Sequence, residues 1–239
     1  MRTAAILPVK RFANAKQRLG ASVADAFRAD LARAMVGDVL QALSATESIA
    51  QTIVVTGASS VVATARDHGA LVTPDTSEQG QSAAVALGVK RAVAERCERV
   101  LCIPGDCPAL DPAELAALLA RDTPGAPGDA RSAAWLPTVV IVPDRHGTGT
   151  NGLLLTPPDA ILPSFGPGSF ERHRALAREA GAVCRVRRPP SLLLDIDTGE
   201  DLAVLRERLA AEVGTGALLT RKLLEAGESG RALSITALA

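Results

Sequence analysis

Hydrophobic and polar positions along this chain alternate between two rhythms. Thr3 to Val9 is an unbroken apolar run, as expected of a strand covered on both faces. After a polar loop from Lys10 to Gly20, Val23, Phe27, Leu31, Met35, Val39 and Leu43 recur every fourth residue and draw one apolar stripe along a long helix. The pattern then repeats: a strand at Thr52 to Thr56, a helix from Ser59 to His68 stopped by Gly69, a strand at Ala70 to Pro74, and a helix from Ala83 to Arg96. Arg99 to Pro104 reads as a fourth buried strand. Asp111, Pro112 and Glu114 are spaced as N-cap, N1 proline and N3 acid of the next helix. Strands alternating with helices through right-handed crossovers give a parallel sheet with helices on both faces.

The second half is less regular. Asp122 to Ala134 is rich in Pro, Gly, Asp and Ser and predicts an exposed loop. Strands are expected at Pro137 to Val142, Leu153 to Thr156, Val183 to Arg187 and Leu192 to Ile196, and helices at Phe170 to Ala180 and Gly199 to Glu212. The domain is expected to occupy residues 1–213. A tail, 214–239, carries Leu218, Leu219, Leu223 and Leu224 on a short helical pattern whose docking the sequence leaves open.

Composition narrows the class. The chain has 239 residues, 47% of them apolar, and 26 Lys+Arg against 26 Asp+Glu, which suits a globular protein and offers no basic footprint for nucleic acid. Aromatic residues make up 2%, so stacking platforms for bases are also lacking. No apolar run approaches the roughly 20 residues of a membrane span, and Ala4 to Val9 is too short for a signal-peptide core, so a cytoplasmic location is expected. Cys97, Cys102, Cys107 and Cys184 match no metal-ligand spacing and read as reduced core fillers.

Candidate chemistry lies after the strands, because open parallel sheets bind ligands at their carboxyl ends. Asp106, in Pro104-Gly105-Asp106-Cys107-Pro108, suits either a metal ligand or a turn aspartate. Asp195 and Asp197, two apart at the end of an expected strand, would share a side and could hold magnesium. Thr198 and Asp201 equally suit a helix cap. Gly147 to Gly152 spells G-x-G-x-x-G, but a strand follows instead of a helix, which refuses a dinucleotide fingerprint. The stretch reads as a loop whose amides and whose Thr148 and Thr150 hydroxyls can face an anion, or as a plain hairpin connection. Ser169 is spaced as the N-cap of a helix with free first-turn amides. Lys10, Lys16 and Arg18 occupy the loop after the first strand, where they could neutralise a polyphosphate. His146 and His173 lie beside two of these loops, with surface histidines the simpler reading.

In order and spacing, Pro8-Val9-Lys10, Ala15 to Leu19, Pro104 to Pro108, Gly147 to Asn151, Phe165 to Phe170 and Asp195 to Thr198 together resemble the guanylyltransferases of deazaflavin coenzyme (coenzyme F-420) biosynthesis, over about residues 3 to 210. The resemblance implies a single-domain α/β nucleotidyltransferase of the nucleotide-diphosphosugar transferase type, Rossmann-like, with a mixed, mainly parallel central sheet. It implies transfer of GMP from GTP to a three-carbon phosphorylated acid with release of pyrophosphate. Phosphoenolpyruvate is the favoured acceptor, with 2-phospho-L-lactate and 3-phospho-D-glycerate as the others. By motif, Asp106 and Asp197 would bind Mg2+ with Asp195 in support, and Lys16 and Arg18 would hold the triphosphate with Lys10 a weaker candidate. Thr150, Gly166 and Ser169 would bind the acceptor, and the segment containing Pro74, Asp75, Gly80, Gln81 and Ser82 would lie along base and ribose. Many members carry Gly-Leu-Asn where this chain has Gly80-Gln81-Ser82, a departure at the guanine contact.

The implied partners are GTP, the small acid, a downstream transferase of the deazaflavin pathway and, as one option for assembly, a second copy of the chain. Neither nucleic acid nor membrane is among them. A phosphate monoester whose second pKa is about 6 is largely dianionic at neutral pH, so attack on the α-phosphorus needs no histidine base. The competing readings are another nucleotidyltransferase or glycosyltransferase of this fold, acting on a sugar phosphate or the molybdenum cofactor, and a non-catalytic nucleotide-binding module.

Overall fold

A computed structural model of the chain describes residues 1–12, 19, 25–122, 136–211 and 216–226. The strands are β1 (Thr3–Pro8), β2 (Gln51–Thr56), β3 (Leu71–Pro74), β4 (Arg99–Cys102), β5 (Thr138–Pro143), β6 (Thr150–Thr156) and β7 (Val183–Val186). They form one seven-stranded sheet in the order β3-β2-β1-β4-β6-β5-β7. Every neighbouring pair is parallel except those made by β6, which runs antiparallel to both β4 and β5. The expected α/β fold with a mixed, mainly parallel sheet is therefore present.

The strand period of two sorts the apolar residues onto two faces. Ala5, Leu7, Val54, Leu101, Val140 and Leu154 join the cluster beneath helices α1 (Asp25–Ser44), α2 (Ser59–Asp67) and α4 (Pro112–Arg121). Their neighbours Ala4, Ile6, Ile53, Val100, Ile141 and Leu153 face α3 (Gln81–Ala94) and α5 (Ser169–Glu179). Helix α3 packs against the sheet through Gly88, where a Cβ would lie 2.4 Å from Ile6 Cγ2. Two expected terminators are realised: Gly69 takes φ +69° after α2, and the Asp111 side chain accepts the Ala113 amide at 2.8 Å at the start of α4. Cys97, Cys102 and Cys107 fill the core as expected, whereas Cys184 is exposed.

Two expectations need correction. Strand β6 starts at Thr150, three residues before the expected Leu153, because a short hairpin connection lets the Gly-rich stretch pair with β5. The expected strand at Leu192 to Ile196 does not form. Pro190–Leu192 makes a 3-10 turn, and prolines at 189 and 190 have no N–H to give to a ladder. The alternation survives in burial alone: Leu194 and Ile196 are buried, Asp195 and Asp197 half-buried.

A third cluster supports that segment. Leu194 and Ile196 pack with Leu31 and Met35 of α1, with Leu202, Leu205 and Leu209 of α6 (Gly199–Ala211), and with Ala217 and Leu224 around a tail helix α7 (218–226). The buried Asp38 of α1 fixes α7 by accepting the amides of Leu219 at 2.8 Å and Thr220 at 2.9 Å. The described part of the tail thus docks on the domain. Asp38→Ala leaves two amides without their acceptor and is expected to cost about 2 kcal/mol of stability. Hydrogen exchange is expected to rise first in 216–226, and unchanged protection there would show that the apolar contacts and the Arg221 bond to the Leu209 carbonyl hold α7 without Asp38.

Candidate active site

Because β6 is reversed, its first residues lie at the edge where the parallel strands end. Thr150 and Asn151 thereby join Asp106, which follows β4, and Asp195 to Asp197, which precede α6. The amide of Ile196 donates to the Asp106 carbonyl at 3.0 Å, so the two acidic segments are joined through the backbone. Asn151 Nδ2 donates to Asp195 Oδ1 at 3.1 Å and to the Leu193 carbonyl at 3.2 Å, which orients that carboxylate. Burial pushes the Asp195 carboxyl up, Asp106 adds to the rise, the Asn151 hydrogen bond partly offsets it, and Asp197 adds again. Asp106 and Asp197 thus lie close enough for their charges to act on Asp195, and the three acids form one cluster.

Asp201 stands behind this centre. Its Oδ2 accepts the amides of Asp197 at 3.1 Å and Thr198 at 2.7 Å, and the Thr198 hydroxyl at 2.7 Å, while Thr198 Oγ1 accepts the Asp201 amide at 3.2 Å. This is the reciprocal cap expected of Thr198 and Asp201. Burial acts to raise the Asp201 pKa, but the Thr198 and Asp197 hydrogen bonds and Arg145, 2.8 Å away, outweigh it and hold the carboxyl below its usual range. Asp201 orders the Asp197 backbone, which leaves Asp195 and Asp197 beside Asp106. Of the alternatives posed for this segment, the helix cap is realised, by Thr198 and Asp201.

The Gly-rich loop is a hairpin connection. Asp144 Oδ1 accepts the Thr148 amide at 2.9 Å, and Oδ2 accepts the Gly149 amide at 2.9 Å and the Thr148 hydroxyl at 3.3 Å. The chain's own carboxylate therefore occupies the cradle expected for an external anion. The expected capping by Ser169 is also corrected. Gly168 is the N-cap, at φ +70°, and Ser169 is the first helical residue, with its hydroxyl directed to Thr150 Oγ1 at 3.2 Å. The amides of Ser169 and Phe170 donate to the carbonyls of Gly166 and Thr148, so these first-turn donors are already engaged.

What does gather at the head of α5 is a cluster of hydroxyls around a histidine, a hydroxyl pocket. Thr150 Oγ1 lies 3.0 Å from His173 Nδ1, and His173 Nε2 accepts the Ser164 amide at 2.9 Å. The expectation of a surface histidine fails here, since His173 is fully buried, with its ring 5.1 Å from Phe165 in an edge arrangement. Arg172 straps the loop containing Gly166 to α5 through the carbonyls of Ser164, Phe165 and Pro167. His146 is exposed.

On the other side, a cavity of about 590 Å³ opens between the loops after β2 and β3. Pro74 and Asp75 line it, with Thr56, Gly57, Glu78 and Arg11. Asp75 Oδ1 accepts the Glu78 amide at 3.0 Å, and Glu78 pairs with Arg11 at 2.8 Å across the mouth. Gly57 is required there, because a Cβ would come within 2.6 Å of the Asp75 carbonyl. Gly80, Gln81 and Ser82 form the start of α3, where Ser82 Oγ accepts the Phe165 amide at 2.8 Å and ties the two loops together. Lys10 is exposed after β1, and the expected Lys16 and Arg18 lie outside the described residues. Sequence reasoning passed over Arg11 and Asn151, whose partners Glu78 and Asp195 are distant in the chain, and over Asp144, whose partners are the amides of the adjacent turn.

Burial, and secondarily Arg172, lowers the pKa of His173 from 6.5 to about 4. Between those values the unfolded chain binds a proton that the folded chain refuses, so this residue's contribution weakens as pH falls, by up to about 1.4 kcal/mol per pH unit. Urea unfolding from pH 7 to 4.5 is expected to show a shallower loss of stability in His173→Asn than in the unchanged protein; parallel curves would place the destabilising titration elsewhere.

The chain matches the family described as "Guanylyl transferase CofC like" over residues 3–206. It is 47% identical over 224 residues to the phosphoenolpyruvate guanylyltransferase of Conexibacter woesei, covering 94% of this chain and 96% of that protein. It is 35% identical to the protein of the same name from Sphaerobacter thermophilus, covering 91% and 97%. Among solved structures, a protein described as a nucleotide-diphospho-sugar transferase from Desulfovibrio desulfuricans superimposes with a TM-score of 0.70 at 18% identity, with 96% of each chain covered, a likeness of fold. The sheet with one reversed strand, the acidic centre at its carboxyl edge and the match over nearly all of that sheet have one reading: this chain belongs to the CofC-like guanylyl transferases.

Proposed function

We propose that the chain transfers GMP from GTP to phosphoenolpyruvate and releases pyrophosphate, as a step of coenzyme F-420 biosynthesis. The observation that supports the reading is the gathering of Asp106, Asp195 and Asp197 at the carboxyl edge of the sheet, the edge where the loops after β2 and β3 enclose a cavity. Two similar proteins named for this acceptor support its identity.

In this reading the base and ribose of GTP occupy the cavity beside Pro74 and Asp75, and the triphosphate runs toward Lys10, Lys16 and Arg18. Gly80, Gln81 and Ser82 flank the nucleotide at the start of α3. The acceptor lies against Thr150, Gly166 and Ser169. One phosphate oxygen of the acceptor forms a bond to the α-phosphorus, the bond from that phosphorus to the bridging oxygen breaks, and the electron pair leaves with pyrophosphate. No proton has to be removed from a dianionic phosphate, so the chain's task is placement and charge stabilisation.

Asp106 and Asp197, supported by Asp195, would hold Mg2+. No group of three or more His, Cys, Asp or Glu side chains forms a ready cage among the described residues. A site of few carboxylates still fits magnesium, which keeps waters and substrate phosphates among its ligands. Burial is the main cause of the rise in the Asp195 pKa, and the smaller part that Asp106 and Asp197 add is repulsion that a divalent cation would relieve. When bound, the ion would screen the charge between nucleophile and α-phosphate.

Pyrophosphate release is the direct test, with GTP, magnesium and each of phosphoenolpyruvate, 2-phospho-L-lactate and 3-phospho-D-glycerate, and with ATP and CTP as controls. A downstream transferase traps the product. Release with GTP and phosphoenolpyruvate is expected. Silence with every acid, alongside measurable GTP binding, would favour a sugar-phosphate transferase or a non-catalytic module. Asp106→Asn is expected to keep its fold and lower kcat by about 100-fold or more; turnover close to that of the unchanged protein would remove Asp106 from the centre.

A further inference from the structure

Among the described residues, His173 is a buried titratable side chain beside Thr150 and Ser169 that the proposed reaction does not itself use. Its hydrogen bonds fix its tautomer. The Ser164 amide can only donate, so Nε2, 2.9 Å away, is bare, and the single proton of the neutral ring sits on Nδ1. Nδ1–H therefore donates to Thr150 Oγ1 at 3.0 Å. Thr150 Oγ1 also lies 3.2 Å from Ser169 Oγ. Two hydroxyls bring two protons, and only one of these can lie between the two oxygens. Whichever hydroxyl donates to the other, one proton is left over. Thr150 is 7% exposed and Ser169 1% exposed, so that proton has little access to bulk water and calls for an acceptor other than solvent.

We propose that His173 is a positioning residue of the acceptor pocket, whose Nδ1–H donation to Thr150 turns the Thr150–Ser169 pair into a net donor aimed at an anionic oxygen of the acceptor acid. With the opposite tautomer, Thr150 would have to give its proton to the ring, and the pair would have none to offer. The same ring holds Ser164, whose neighbour Phe165 is bonded through its amide to Ser82 at the head of α3. One side chain thus sets both the polarity of the pocket and the position of its covering loop. The inference rests on the reading of Thr150 and Ser169 as acceptor ligands.

Two side chains separate the ring's two nitrogens. Asn reaches the Nδ1 position with an amide donor, and Gln reaches the Nε2 position while withdrawing the donor from Thr150. His173→Gln is expected to raise KM for phosphoenolpyruvate by at least about tenfold, the loss of one hydrogen bond to a charged group, with KM for GTP within about twofold. His173→Asn is expected to recover most of that loss. Equal effects of Gln and Asn, or equal rises in both KM values, would overturn the proposal as a merely structural role. Thr150→Val in the same assay tests the underlying reading: if it leaves the acceptor KM unchanged, the assignment of the pocket fails. If it raises KM while His173→Gln does not, only the role of His173 fails. Nitrogen-15 NMR of the unchanged protein, with His68→Gln and His146→Gln used to assign the signals, is expected to show Nδ1 protonated and Nε2 bare; the reverse tautomer overturns the proposal without any variant at 173.

Discussion

The reversed direction of β6 is the constraint on which the site depends. A parallel strand at that place in the sheet would begin at the far edge and deliver Thr150 and Asn151 away from the carboxyl ends of its neighbours. A hairpin after β5 instead brings the chain straight back, so β6 starts where β4 and β5 finish. Asn151 then reaches Asp195, and Thr150 reaches Ser169 and His173. Two adjacent residues, on opposite faces of one strand, serve the acidic centre and the hydroxyl pocket. The Asp144 carboxylate holds the hairpin by binding the loop amides, so the turn is closed by the chain and its cradle is not available to a ligand.

The acidic centre is built without the strand that ordinarily would carry it. One backbone bond, from Ile196 to Asp106, replaces a ladder, and burial of Leu194 and Ile196 replaces sheet packing. That burial is shared among α1, α6 and α7. The tail helix lies beyond the 3–206 stretch matched by the family, yet its Leu224 belongs to the cluster that backs Asp195 and Asp197. Asp201 adds rigidity from the other side by binding the amides of Asp197 and Thr198. Carboxylates that repel one another are held together because the apolar and capping contacts lie on their far side.

The first half of the fold was legible because each strand is a doubly buried apolar run and each helix a stripe, signals that local sequence carries by itself. The stripe at Leu31, Met35, Val39 and Leu43 is fully buried, and Asp111 caps α4 as its spacing implies. Legibility ended where partners are distant. Leu192 to Ile196 has the composition of a strand, but Pro189 and Pro190 break it before pairing begins. Ser169 has the spacing of an N-cap, yet its hydroxyl finds Thr150, nineteen residues away, and Gly168 takes the cap instead. His173 is polar in a sequence window of charged residues, and nothing local announces that Thr150, Ser164 and Phe165 enclose it. Asp106 was singled out because it follows β4, whereas Asp195 and Asp197 were singled out from a strand that does not form and meet Asp106 through the Ile196 amide instead.

Ser82 shows how a departure from a family pattern acquires a physical meaning. Read along the chain, Gly80-Gln81-Ser82 alters a segment expected beside the base. In the fold, the Ser82 oxygen accepts the Phe165 amide, and the loop that carries Gly166 is thereby fastened to the head of α3. Asp75, by contrast, lines the cavity while its Oδ1 accepts the Glu78 amide, so the wall of that cavity is ordered by its own carboxylate. The two loops flanking the acidic centre are thus not independent. A shift of α3 moves Ser82, Ser82 carries Phe165, and Phe165 neighbours both the Ser164 amide on His173 and the ring that packs against it. The physical route between the head of α3 and the head of α5 is this short chain of hydrogen bonds, with His173 at its end.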